Sequence, residues 1–94
     1  MLEKEYNMGP FSFEVIYTPG HTKEEITYYF KKENIMFTGD FIFKDGIGRC
    51  DLSGGNYIEM MKSLEKMKKY DSNIKIFPGH GMDSNLKMEL VKYL

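Results

Sequence analysis

The chain contains two histidines, and they occupy matching contexts. His21 lies in Tyr17-Thr18-Pro19-Gly20-His21-Thr22, and His80 lies in Ile76-Phe77-Pro78-Gly79-His80-Gly81. In each, an apolar run with the character of a strand meets Pro-Gly, and the histidine follows. Proline ends a strand ladder because it has no N–H to donate, and glycine lets the chain turn sharply. The imidazole is thereby delivered just past the C-terminal end of a strand, the edge where open α/β sheets keep their sites. Asp40 repeats the arrangement with a carboxylate: residues 35–38 form a short apolar run, Gly39 closes it, and Asp40 comes next. Imidazole and carboxylate donors at three strand ends suit zinc, iron or manganese rather than calcium or magnesium. The same side chains could instead be turn residues joined by plain His–Asp hydrogen bonds. Spacing does not decide between the two, because ligands on separate strands have no fixed separation.

The elements that must position these groups are readable from periodicity. Residues 11–17 alternate, with Phe11, Phe13, Val15 and Tyr17 on one side and Ser12 and Glu14 on the other, the pattern of a half-buried strand. Thr22-Lys23-Glu24-Glu25 has the form of a capping box and predicts one helical turn. Residues 26–30 are rich in β-branched and aromatic side chains and predict a second strand; residues 35–38 predict a third. Phe41-Ile42-Phe43 running into Asp45-Gly46 signals a hairpin. Gly46, Gly48, Gly54 and Gly55 then mark a long irregular loop, a kind of segment that tends to be functional. Residues 56–70 predict the clearest helix, with Asn56 as N-cap and an apolar stripe through Tyr57, Met61, Leu64 and Lys68 flanked by Ile58 and Met67. Asp71-Ser72-Asn73 is expected to end it. Residues 74–77 predict another strand, and a last helix capped by Asp83 or Ser84 should run to Leu94 with Leu86, Leu90 and Val91 inward. The fold class is therefore α/β (α+β): one domain spanning 1–94, with one small sheet and two helices on one face. Nothing in the pattern covers the other face.

Bulk properties narrow the function classes. A chain of 94 residues forms one domain at most. It is 41% apolar and 29% charged, with seven Tyr and seven Phe, which fits a folded globule rather than a disordered chain. A formal net charge of -1 gives no electrostatic case for nucleic acid; the lysines of residues 62–69 read as the solvated face of a helix. No stretch approaches the roughly 18 apolar residues that would span a membrane. The lone cysteine, Cys50, permits no internal disulfide, and a cytoplasmic location is the default expectation.

Taken together, Thr18-Pro19-Gly20-His21-Thr22, Phe37-Thr38-Gly39-Asp40 and Ile76-Phe77-Pro78-Gly79-His80-Gly81 resemble three metal-binding motifs of the metallo-β-lactamase superfamily, in the family's order and at compatible spacing. The intervening Gly46-Ile47-Gly48-Arg49-Cys50-Asp51 and Gly54-Gly55 resemble its glyoxalase II-like (hydroxyacylglutathione hydrolase-like) branch. The similarity extends from about Gly9 to Leu94 and corresponds to the C-terminal half of the family's domain. It implies half of an αββα sandwich whose one mixed sheet carries two helices on one face. It also implies a two-metal hydrolytic site, with zinc, or iron or manganese, held by His21 on one side and His80 on the other and bridged by Asp40. Hydroxide generated at neutral pH and a polarised scissile carbonyl are the expected chemistry, and a thioester such as an acylglutathione is the expected substrate class. Arg49 is a candidate contact for an anionic substrate group, or else a partner for Asp51.

Two departures from the family pattern matter. The His-x-His-x-Asp-His motif of the family's first half is missing, and with two histidines it cannot be hidden. Lys23-Glu24-Glu25 also stands where the family has Pro-Gly-Ser or similar. Divided between two metals, His21, Asp40 and His80 leave each ion one imidazole and a shared carboxylate, too few for tight binding. The isolated chain is therefore expected to bind metal weakly or not at all, and to be inactive alone. Its bare sheet face should be covered by a second copy in a homodimer or by a complementary N-terminal half. The alternative is a non-catalytic dimerising or metal-binding module that retains the fold.

Overall fold

The structure is a computed structural model, and it describes residues 3–70 and 73–93. Eight strands and two helices follow one another as β1 (Glu5–Met8), β2 (Phe11–Tyr17), β3 (Ile26–Phe30), β4 (Ile35–Gly39), β5 (Ile42–Phe43), β6 (Gly46–Ile47), α1 (Tyr57–Met67), β7 (Lys75–Pro78), β8 (Ser84–Asn85) and α2 (Leu86–Leu90), with a 3-10 turn at Val91–Tyr93. Six strands make one sheet in the order β1-β2-β3-β4-β7-β8, and β5 and β6 form a separate small hairpin. Every neighbouring pair in the large sheet is antiparallel except β4 and β7, which run parallel. The parallel pair needs a crossover, and α1 lies within it. The expected mixed sheet with two helices is thus what the chain forms.

Both helices pack on one face. Ile16, Tyr29, Met36 and Ile76 point from the sheet into a cluster with Met60, Leu64 and Met67 of α1 and Leu86 and Leu90 of α2. Phe41 and Ile42, immediately after Asp40, are fully buried in the same cluster and pin the loop that carries the carboxylate.

The other face bears no helix. Val15 stands opposite Tyr28, Tyr28 opposite Phe37, and Phe37 beside Phe77, so these side chains share that face by strand alternation. An aromatic row runs across the strands: Phe13 stacks on Phe30 at 5.3 Å, Phe30 meets Phe37 at 5.6 Å, and Phe37 stacks on Phe77 at 5.6 Å. Phe11 remains 51% exposed and Phe37 43%. Lys75, whose ammonium lies 5.3 Å from the Phe77 ring centre, brings a charge to its rim.

Several local expectations are corrected. Residues 22–25 form a turn, not a helical one. The buried side of α1 is Met60, Ser63, Leu64 and Met67, whereas Tyr57 and Ile58 are 63% and 66% exposed. Two apolar stripes overlap on this helix, and periodicity alone does not choose between them. The choice is made by the helix's anchorage to the β2–β3 loop, where the Asn56 N–H donates to the Gly20 carbonyl (2.7 Å) and the Ser63 hydroxyl donates to the Pro19 carbonyl (2.7 Å). Asn56 is the N-cap, as expected, and accepts from the Glu59 N–H.

The last helix is capped by Asn85 rather than Asp83 or Ser84, and it gives way to the 3-10 turn after Leu90, leaving Val91 half exposed. Ser84 is in β8, where its hydroxyl donates to Glu89, and Asp83 pairs with Lys75 at 3.0 Å. α1 ends at Met67 with Lys68 as C-cap, three residues short of the expected Tyr70, while Asp71, Ser72 and the expected terminus at Leu94 lie outside the described residues. β1, which pairs with β2 through a turn at Gly9-Pro10, was not anticipated.

Candidate metal centre

Three strand ends converge as the sequence pattern requires. β2 leads into His21, β4 into Asp40 and β7 into His80. The ends of β4 and β7 are stitched by the Gly79 N–H donating to the Gly39 carbonyl (2.8 Å), which sets His80 beside Asp40. Gly20 adopts φ +152, and a Cβ there would lie 2.6 Å from Met60 Cα, so the His21 turn needs glycine on two counts. Gly39, at φ +53, opens the turn that presents Asp40.

Asp40 divides its carboxylate between the two histidines. Its Oδ2 is 3.6 Å from His21 Nε2, and its Oδ1 is 3.4 Å from His80 Nδ1. Charge-assisted hydrogen bonds are shorter, about 2.7–2.9 Å. Two donors on one tetrahedral zinc with bonds of about 2.0–2.1 Å stand about 3.3 Å apart. The spacing therefore fits donors arranged about a metal better than direct hydrogen bonds. His21 Nδ1 lies 2.9 Å from the Arg49 carbonyl oxygen. A carbonyl only accepts, so Nδ1 carries a proton, and in the neutral imidazole this is the tautomer a metal ligand needs, with the Nε2 lone pair towards Asp40. His80 is held more loosely: its side chain is 73% exposed against 23% for His21, and it rests on the Phe43 ring at 4.6 Å.

A fourth candidate donor lies here that the motif pattern does not contain. Single ligand atoms of His21, Glu25 and Asp40 all lie within 4.8 Å of one another. Burial pushes the Glu25 carboxyl up, and the negative charge of Asp40 adds to this against the opposing pull of His21 and of the Asp40 and Ile26 N–H groups. The available signal was the departure at Lys23-Glu24-Glu25 itself, which the capping-box reading absorbed. A cleft of about 410 Å³ extends from Glu25, Gly39 and Gly79 onto Tyr28, Phe37 and Phe77 of the helix-free sheet face.

Arg49 reaches the centre through its backbone. Its guanidinium forms a forked pair with Asp51 (2.8 and 2.9 Å) and is 61% exposed, while its carbonyl orients His21. The Asp51 carboxyl is pulled down to about 2, first by the hydrogen bond from Arg49. Cys50 turns its thiol towards the Gly48 carbonyl, and burial, with the Asp51 charge, pushes the thiol up, away from the thiolate form a nucleophile needs.

A family model described as the metallo-beta-lactamase superfamily matches residues 2–80. The chain belongs to this superfamily. "Probable metallo-hydrolase YqgX" of Bacillus subtilis (strain 168) is 37% identical over 86 residues, covering 90% of this chain and 41% of the relative. "Hydroxyacylglutathione hydrolase" of Francisella tularensis subsp. novicida (strain U112) is 36% identical over 74 residues, covering 79% of this chain and 29% of the relative. Among solved structures, BLEG-1 B3 metallo-beta-lactamase superposes with a TM-score of 0.90 at 34% identity, covering 97% of this chain and 44% of that protein. TTHA1623 in a di-iron-bound form superposes with a TM-score of 0.86 at 28% identity, covering 95% of this chain and 43% of that protein. The chain thus has the hydrolase-like fold of a metal-dependent superfamily and glyoxalase II-like homologues. It spans about two-fifths or less of the curated relatives' length. Among the described residues, no helix is long and apolar enough to cross a membrane.

Proposed function

We propose that this chain is the His21-, Asp40- and His80-bearing half of a metal-dependent hydrolase that acts on thioesters of the acylglutathione class and works when a complementary half covers its helix-free sheet face. The observation that carries the reading is the Asp40 carboxylate, each oxygen turned to a different imidazole at a spacing suited to metal donors. Zinc, iron or manganese fits this donor set; such an ion, when bound, supplies Lewis acidity and an activated water. The residues' part is to hold the ion at one edge of the sheet. Asp40 spans both imidazoles, and the Arg49 carbonyl fixes the His21 tautomer. The thioester class is supported by similarity to a hydroxyacylglutathione hydrolase.

The occupant of the aromatic face is taken to be a second metallo-β-lactamase-type half because the structural relatives carry more than twice as much chain. A cleft also runs from Glu25 and Gly39, the neighbour of Asp40, to Phe77 on that face, so one partner could cover the sheet and add donors.

Co-expression of this chain with the unmatched portion of the Bacillus subtilis relative tests the reading. A purified complex with bound metal that hydrolyses an S-acylglutathione is expected, with both metal and turnover lost in Asp40→Asn. Failure of the two chains to associate, or a metal-loaded complex without hydrolysis, would sink it. A homodimer active by itself would put a second copy in the partner's place.

A further inference from the structure

We propose that Glu25 is a metal ligand, forming with His21 and Asp40 a three-donor set that holds one divalent cation in this chain without donors from elsewhere. The inference rests on the metal reading of His21 and Asp40 above and changes the ligand count. The three motif positions leave each of two ions one imidazole and a shared carboxylate, whereas Glu25 raises the His21 side to three protein donors, the number a catalytic zinc takes.

Three observations converge on Glu25. The first is proximity: one ligand atom each from His21, Glu25 and Asp40 lies within 4.8 Å of the other two. Donors on one zinc stand about 3.3 Å apart, so an ion would draw these atoms together by up to about 1.5 Å. The second is a built recess. The Glu25 Oε2 lies 2.8 Å from where a Cβ on residue 39 would be, so the carboxylate in this position occupies space that any other residue at 39 would contest, and the φ of +53 at Gly39 independently favours glycine. The third is charge. Glu25 and Asp40 carry two carboxylates into one recess, and among the described residues Glu25 makes no ion pair with a lysine or arginine. Two such groups repel unless a cation lies between them. His21 faces the pair with its Nε2, which offers a lone pair in the neutral imidazole because Nδ1 is committed to the Arg49 carbonyl.

Two oxygen donors and one nitrogen make a harder site than a histidine-rich one, and the set should accept Mn²⁺ or Fe²⁺ as well as Zn²⁺. Glu25 also accepts the backbone N–H groups of Asp40 and Ile26. A pure brace for the Asp40 turn is therefore the competing role, and the test must separate the two.

Isothermal titration of the purified chain with Mn²⁺ and with Zn²⁺ does so, comparing wild type, Glu25→Gln, Glu25→Asp, Asp40→Asn and His80→Ala, each checked by circular dichroism. Glutamine keeps an acceptor for the two N–H groups and loses the charge. The expected result is one site per chain, weakened at least about tenfold in Glu25→Gln and in Asp40→Asn and within about twofold of wild type in His80→Ala. Glu25→Asp, which keeps the charge, should retain more affinity than Glu25→Gln, and this comparison stands even if both variants lose some structure. Wild-type affinity in Glu25→Gln alongside loss in Asp40→Asn would overturn the proposal and leave Glu25 a brace, with the metal reading intact. Equal loss in Glu25→Asp and Glu25→Gln would overturn it too. So would absence of binding to the wild-type chain, a result that leaves the co-expression experiment as the separate test of the two-half reading.

Discussion

His21 and His80 both follow Pro-Gly at the end of a strand, and each lies beside a different oxygen of Asp40. Their surroundings differ. The His21 turn is held by α1 at three points: Gly20 fits against Met60, Asn56 donates to Gly20, and Ser63 donates to Pro19. Its ring is then fixed by the Arg49 carbonyl. The His80 turn has the Gly79–Gly39 bond and the face of Phe43, and its ring is largely in solvent. A shared motif thus delivers the same group to the same place with different rigidity, because rigidity comes from neighbours distant in sequence. The His21 side of the candidate site is preorganised by this chain, and the His80 side faces outward.

The largest expected effect contrasts the two glycines of these turns. Gly20→Ala should cost about 3 kcal/mol, since its Cβ would collide with α1 and its φ is unfavourable for other residues. Gly79→Ala, whose Cβ would come no nearer than 3.3 Å to Gly39 O, should cost under about 1 kcal/mol. Urea denaturation of both variants measures the difference; equal losses would remove the asymmetry.

Next in size is Glu89, which supports the His80 side. Its buried carboxylate accepts from Ser84, Lys92 and the Asp45 N–H, tying α2 to the hairpin that carries Phe43. Burial alone would raise its carboxyl, but these hydrogen bonds outweigh it and hold the group below its ordinary value. A depressed carboxyl contributes stability that is present above its ordinary value, about 4.3, and is lost as pH falls through the lowered one. Glu89→Gln should therefore cost about 2 kcal/mol at neutral pH, and the gap to wild type should shrink in urea titrations at pH 3. A constant gap across pH would refute the assigned origin.

Ser63→Ala removes a single bond to Pro19 and should cost about 1 kcal/mol. It should also broaden the His21 ring signals in NMR while leaving those of His80 unchanged. The smallest effect is expected from Arg49→Ala. The guanidinium pairs with Asp51 in solvent, and His21 is held by the backbone, so the urea midpoint should not move. The Asp51 carboxyl, now at about 2, should return towards the ordinary carboxylate range in an NMR titration. Loss of the His21 tautomer in this variant would show that the side chain matters after all.

Much of the site was legible in the sequence, because His21, Asp40 and His80 each stand directly after a strand end that Pro-Gly or Gly marks. The strands themselves were legible for a local reason: β-branched and aromatic residues in short runs have few other uses. Glu25 was not, since a Thr-x-x-Glu string is ambiguous between a capping box and a turn, and only the proximity of Asp40 gives the carboxylate its surroundings. The alternation in β2 was visible, yet Ile16, on the side read as polar, faces the helices, while Phe13 and Val15 line the helix-free face. Both sides of this strand are partly apolar, so alternation alone could not say which face the helices take.

By itself, the sequence determined the order of elements, the strand ends bearing donors, the Asn56 cap and the presence of more apolar sheet surface than two helices can cover. These depend on near neighbours along the chain, where residue type sets backbone preference. The tertiary structure alone decided which stripe of α1 is buried, which histidine is anchored, that Glu25 lies beside His21 and Asp40 and that Glu89 is buried with its partners. Each of these depends on contacts between segments far apart in the chain, and their energies exist only once the sheet has brought those segments together.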